Sequence, residues 1–243
     1  MPDPLGWLIL GGGALVASIV GGVAGFGAGI IMLPLMAWVA GVRAAVPVLT
    51  VTMLVGNLSR IWWSRGEIDR AVVIRFALGA VPATALGTAV YAGTSSEGLG
   101  RIVGAFLVLS VPLRRILAWN VFQMRLRHFP VLGAVVGLLS ALVVTTGPIN
   151  TPFFLAYGLR RSAYIGTESV CAMAMHLARG AALARYRLMT WETVAVGLVL
   201  GGMMFAGAWL GRRLLDRMSD RIFLAIIEVL VAAMGLQFLL FPR

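Results

Sequence analysis

The chain has 243 residues, 60% of them hydrophobic and 12% charged, roughly half the charge of an ordinary soluble domain. Nine acidic residues stand against twenty basic ones, and all twenty are arginine. Too few charges are present to cover a soluble surface of this size, which excludes a soluble enzyme, a disordered chain and a disulfide-stapled module and leaves a polytopic membrane protein.

Seven charge-poor runs follow one another at 5–42, 44–59, 71–91, 102–118, 129–158, 163–178 and 190–211, and an eighth at 222–241 carries one acid. A transmembrane helix needs about 20 apolar residues, so the predicted architecture is an all-α helical bundle of about eight spans. The N-terminus lacks the basic n-region of a signal peptide, and its apolar run continues far past a signal h-region, so it is expected to stay as a span. The first run is too long for one simple crossing: as a single helix it would reach about 57 Å, against a hydrocarbon core of about 30 Å.

Two places offer a break. Residues 21–29 read Gly-Gly-Val-Ala-Gly-Phe-Gly-Ala-Gly, with Pro34 five residues on. The fifth run contains Thr145-Thr146-Gly147-Pro148-Ile149-Asn150-Thr151-Pro152. Glycine and proline release the backbone from the helical ladder, and in a membrane such backbone is tolerated where it is buried in protein or lines a wet cavity. Close helix packing is the plainer explanation for Gly197, Gly201, Gly207 and Gly211.

The chain also repeats. Gly29 and Pro34 recur as Gly147 and Pro152, 118 residues later, and Asn57-Leu58-Ser59-Arg60 recurs as His176-Leu177-Ala178-Arg179, 119 later. The expectation is one membrane domain over 1–243, with related halves at about 5–118 and 129–241 joined by a linker at about 119–128. Simple spans would make the halves parallel. Hairpins at the two breaks would make them inverted, and the distribution of loop arginines leans toward hairpins.

The arginines come in small groups between apolar runs, the pattern of loop charges that set orientation and meet lipid headgroups, and no nucleic-acid motif accompanies them. All seven tryptophans fall near segment ends, as in an interfacial belt. Cys171, the single cysteine, reads as a buried packing residue. Hydrolase, P-loop and dinucleotide motifs are absent or out of context, and one Cys with two His argues against a metal cage, so neither an enzyme nor a cofactor is expected.

The candidate site consists of polar groups at membrane depth. Asn57 and Arg60 close the second run, and His176 and Arg179 occupy the matching places of the sixth. Positions three apart share a helix face. Arginine presents a planar fork to oxyanions, and broken helices offer free backbone N–H groups, so Gly27, Gly29, Thr146, Gly147 and Asn150 join the arginines as candidates for holding a small anion. Snorkelling of Arg60 and Arg179 to the headgroups is an equal alternative. Glu228 and Glu168 lie in or beside apolar runs, where a carboxyl either takes up protons or neutralises an arginine.

Gly25-Phe26-Gly27-Ala28-Gly29-Ile30-Ile31-Met32-Leu33-Pro34, after Gly22, resembles the first-half signature of the sulfite exporter TauE/SafE family, also called the toluene-sulfonate uptake permease family. Thr146-Gly147-Pro148 followed by Pro152 resembles its repeat. Ala28 stands where the pattern has its middle glycine, and the second turn carries Thr, Pro and Asn in place of most glycines. The resemblance implies a multi-pass transporter of the cell (inner) membrane, an exporter moving a small anion such as sulfite or an organosulfonate, coupled to protons or driven by the anion gradient. It implies the lipid bilayer and the anion as partners, no nucleic acid, and leaves a homodimer open. A carrier of another solute or a membrane scaffold is the alternative.

Overall fold

The structure, a computed structural model, describes residues 3–24, 28–119, 123–144, 146–159 and 161–214, and among these every regular element is helical. The first run divides into α1 (Pro4–Ala24) and α2 (Ala28–Ala40). A Cβ on Gly13 would lie 2.5 Å from Leu35, and one on Gly21 would lie 3.0 Å from Ala28 Cβ. Residue numbers rise on one helix as they fall on the other, so α2 turns back along α1 as a hairpin. Gly41, at φ +83, ends α2 in a conformation open to glycine, and α3 (Val42–Ser64) follows.

Asp69 caps α4 (Arg70–Gly93) by accepting from the N–H groups of Ala71 and Val72, and α5 (Ser96–Trp119) completes the first part. A 3-10 turn at Leu126–His128 leads into α6 (Phe129–Val143), with Pro130 in its first turn, where its missing N–H has no ladder partner to lose. The second break falls at Val144, a β-branched residue held at φ 62, before α7 (Gly147–Ala156). Then come α8 (Arg161–Arg185) and α9 (Trp191–Leu214).

Among the described residues, three helical stretches are long and apolar enough to cross a membrane: Val42–Ser64, Arg70–Gly93 and Leu126–Val143. The 13 residues of α2 and 10 of α7 extend about 20 and 15 Å, less than the hydrocarbon core, as broken segments should. The expected eighth run, 222–241, lies outside the described residues. Trp38, Trp62, Trp63 and Trp191 are exposed at helix ends, as a belt at the membrane interface requires.

Small residues bring the helices together. A Cβ on Gly79 would lie 1.8 Å from the Pro130 carbonyl oxygen, and one on Gly87 2.8 Å from that of Leu138, so α4 and α6 run parallel in backbone contact. Gly197 and Gly201 meet Val51 and Val55, which makes α3 and α9 parallel, and Gly207 packs on Ser18 of α1. The packing explanation for these three glycines therefore holds. Antiparallel to α3 runs α8, with Gly166 against Ser64 and Gly180 facing Thr50.

Two cores result. One, largely aliphatic, joins α1, α2, α3, α5 and α9 through residues such as Leu10, Met32, Leu49, Leu107 and Leu200. The other joins α4, α6, α7 and α8, and its centre is aromatic: Phe154 meets Phe76 and Phe129 edge-to-face at 5.7 and 5.3 Å. Cys171 is buried in this second core, in line with a packing role.

Candidate functional site

The crossing of α3 and α8 carries the paired residues. Its register sets Arg179 level with Val51, nine residues from Arg60 along α3, or roughly 13 Å in depth. Helical side chains lean toward their own N-terminus, and in antiparallel helices that means toward each other. Arg60 accordingly bends back to donate to Asn57 Oδ1, and Arg179 bends back to His176 Nδ1. Both arginines point toward the middle of the crossing, where Asn57 and His176 lie.

Arg179 is fully buried, so it does not reach a headgroup. Its guanidinium also donates to the Ser140 carbonyl at the C-terminal end of α6, which already accepts from Val144 N–H. A cation there opposes the negative end of the helix dipole. Because a guanidinium can only donate, His176 accepts at Nδ1 and carries its proton on Nε2. Arg60 is half-buried and lines a small cavity with Ser18, Gly21, Ala28, Gly56, Ser59 and Met204, beside the first break.

The second break supplies Asn150, fully buried in the first turn of α7. Thr146 precedes that helix without a side-chain cap, and its carbonyl accepts from the N–H groups of Ile149 and Asn150 at 2.9 and 3.0 Å. Two first-turn donors are thus used within the helix, and the Asn150 carboxamide is a further polar group that α7 brings to the site. Gly147 and Gly29 are buried at the starts of α7 and α2. Gly27 and Glu228 lie outside the described residues.

Glu168, on α8, is 6% exposed. Its carboxyl interacts with the Arg60 charge and lies beside Asn150. Near it Tyr164 is bonded to Thr151 at 2.7 Å, tying α8 to α7. Ser140, Thr151 and Tyr164 were not among the expected residues. In the sequence Ser140 and Thr151 resemble Thr50, Thr52 and Thr88, whose hydroxyls merely return to the carbonyl four residues back.

Buried polar groups are nearly always hydrogen-bonded. Among the described residues the buried side-chain atoms without a partner are Asn57 Nδ2, Ser140 Oγ, both polar atoms of Asn150, Ser169 Oγ and Arg179 Nε. All of them belong to α3, α6, α7 and α8, the helices around the crossing. Most are donors.

A model of the sulfite exporter TauE/SafE family matches residues 10–238, nearly the whole chain. The chain belongs to this family. It is therefore a membrane protein of an exporter-type transporter family for sulfur-containing anions, not of an enzyme family, and the sequence resemblance is borne out. Among curated proteins and solved structures none matches the chain. No group of three or more His, Cys, Asp or Glu that could hold a metal occurs among the described residues.

Proposed function

We propose that this TauE/SafE protein exports a small sulfur-containing oxyanion, such as sulfite or an organosulfonate, across the inner membrane as a secondary transporter. The anion sits at the α3–α8 crossing, with Arg179 and Arg60 supplying charge and Asn57, His176 and Asn150 supplying donors. One observation carries the reading: Arg179 is fully buried, has no carboxylate partner among the described residues, and leaves its Nε–H unbonded. A buried charge without a counter-charge is costly, and an anionic ligand removes that cost. Capping of α6 uses one face of the guanidinium but leaves its charge unneutralised.

We read the chain as two inverted halves. The hairpin of α1 and α2 and the antiparallel α3–α8 pair support this, since 57 and 176 then stand on opposite sides of one axis. The parallel contact of α9 with α1 is the counterpart of that between α4 and α6. Transporters with broken helices bind substrate at such a repeat interface.

The test is direct. Sulfite raises the thermal stability of the purified protein and moves across proteoliposomes, because a ligand that binds only the native state stabilises it. Arg179→Gln removes both responses, whereas Arg179→Lys, which keeps the charge, retains part of the stabilisation. Full response to sulfite in Arg179→Gln overturns the assignment.

A further inference from the structure

Serine and threonine hydroxyls inside helices ordinarily return to a carbonyl of the preceding turn. Thr50, Thr52 and Thr88 do so at the carbonyl four residues back, and Ser18 and Ser59 at the one three back. Ser140 does not. It lies in the last turn of α6, is 1% exposed, and its hydroxyl has no hydrogen-bond partner. Its own carbonyl accepts from Val144 N–H along the helix and from the Arg179 guanidinium outside it. Covalent geometry keeps the hydroxyl and carbonyl of one residue within a few ångströms, so the Ser140 hydroxyl stands beside that guanidinium. The guanidinium has a spare donor of its own: Nη1 serves Ser140 and Nη2 serves His176, while Nε has no partner.

We propose that Ser140 is a substrate-contacting residue whose hydroxyl donates to one oxygen of the bound anion, beside the oxygen that takes Arg179 Nε–H. The inference rests on the anion site proposed above and adds α6 to it. Unpaired donors are costly in a buried place, and here two stand together on two helices. Pairing both at once needs two acceptors close to each other, which the oxygens of one sulfur oxyanion provide. A hydroxyl also rotates to meet its acceptor, so Ser140 can serve an anion brought to Arg179 without any movement of the backbone. A hydrogen bond to a charged acceptor is the stronger kind, which makes this contact a source of affinity as well as of orientation. The first half has no hydroxyl at the matching place: 118 and 119 residues before Ser140 stand Gly22 and Gly21. The contact therefore belongs to the Arg179 end of the site.

The experiment titrates sulfite against the thermal stability of the full chain and measures sulfite flux in proteoliposomes, for the wild type, Ser140→Ala and Ser140→Cys. Ser140→Ala removes the hydroxyl and leaves the carbonyl that holds Arg179. Its ligand-free melting temperature is expected to stay level or rise, because an unpaired buried polar group is gone. Its sulfite affinity is expected to fall by about tenfold. Ser140→Cys puts a weak donor in the same place, so its affinity also falls, and it carries the test should the alanine variant fail to fold. A hydroxyl that merely supports the fold gives the opposite pattern, a lower ligand-free melting temperature with affinity unchanged, and that pattern overturns the proposal. So does a folded Ser140→Ala with wild-type affinity, the result if the hydroxyl serves only water. Failure of every sulfur oxyanion to bind or move in the wild type instead overturns the underlying anion site.

Discussion

The surroundings of the two arginines differ more than their matching positions on α3 and α8 would lead one to expect. Arg60 is half-buried, bonds an asparagine, and borders a cavity at the edge of an aliphatic core. Arg179 is fully buried, bonds a histidine and a helix-end carbonyl, and adjoins an aromatic core. In the proposed duplication, Asn150, Thr151 and Glu168 of the second half stand where Met32, Leu33 and Leu49 stand in the first. On that reading the arginine frame stands in both halves, while the carboxamide of Asn150 and the carboxyl of Glu168 stand in only one. The second half reads as the chemical side of the site and the first as its access.

The largest effect expected from this asymmetry concerns packing. Helices α4 and α6 touch backbone to backbone, so a Cβ at Gly79 meets a carbonyl at 1.8 Å that no rotamer change can move. At Gly11, on the α1–α9 contact, the nearest atom is the Met203 sulfur at 3.3 Å, the end of a flexible side chain. Gly79→Ala is expected to destabilise by about 3 kcal/mol and Gly11→Ala by less than about 1 kcal/mol. Detergent-solubilised thermal unfolding measures both, and equal losses would show that the two contacts are equally tight.

Next in size is the difference between the arginines themselves. Arg179 works in full burial, where a charge-assisted contact contributes about 1.5–3 kcal/mol. Arg179→Gln is therefore expected to weaken sulfite binding by about 100-fold, and Arg60→Gln, beside its cavity, by about tenfold. Titration of sulfite against thermal stability gives the two ratios. If Arg60 proves the more important, the assignment of chemical and access sides is reversed.

Much of this was legible in the sequence. A charge-poor run too long for one helix, with Gly and Pro inside it, requires a break, and both breaks occur where those residues cluster. The depth of Arg179 was not legible. The hydropathy run ends at residue 178, just before Arg179, but α8 continues to Arg185 because Gly180–Ala184 adds Ala and Leu, strong helix formers. Only the fold reveals that Arg179 turns inward, since Ser140 lies 39 residues away. Parallel pairing of α4 with α6 is likewise non-local. The glycines announce a close approach but not the partner.

The smallest predicted effect tests the tie that holds the polar side together. Thr151 has one hydroxyl proton, and its 2.6 Å bond to the Gly147 carbonyl uses it. Tyr164 must then be the donor in their 2.7 Å contact, with Thr151 Oγ1 accepting. The two removals are therefore unequal. Tyr164→Phe deletes a donor and leaves the Thr151 bond to Gly147 intact, at a cost of about 1 kcal/mol or less. Thr151→Val keeps the shape but strands the phenolic hydroxyl of Tyr164, which is 5% exposed, and costs about 1–3 kcal/mol. In the Tyr164→Phe background, Thr151→Val should become cheaper, because no stranded donor remains. A double-mutant cycle by thermal unfolding reads this coupling directly. Purely additive losses would mean that the hydroxyls do not hold α7 to α8, and that Asn150 is positioned beside Glu168 by the aromatic packing around Phe154 alone.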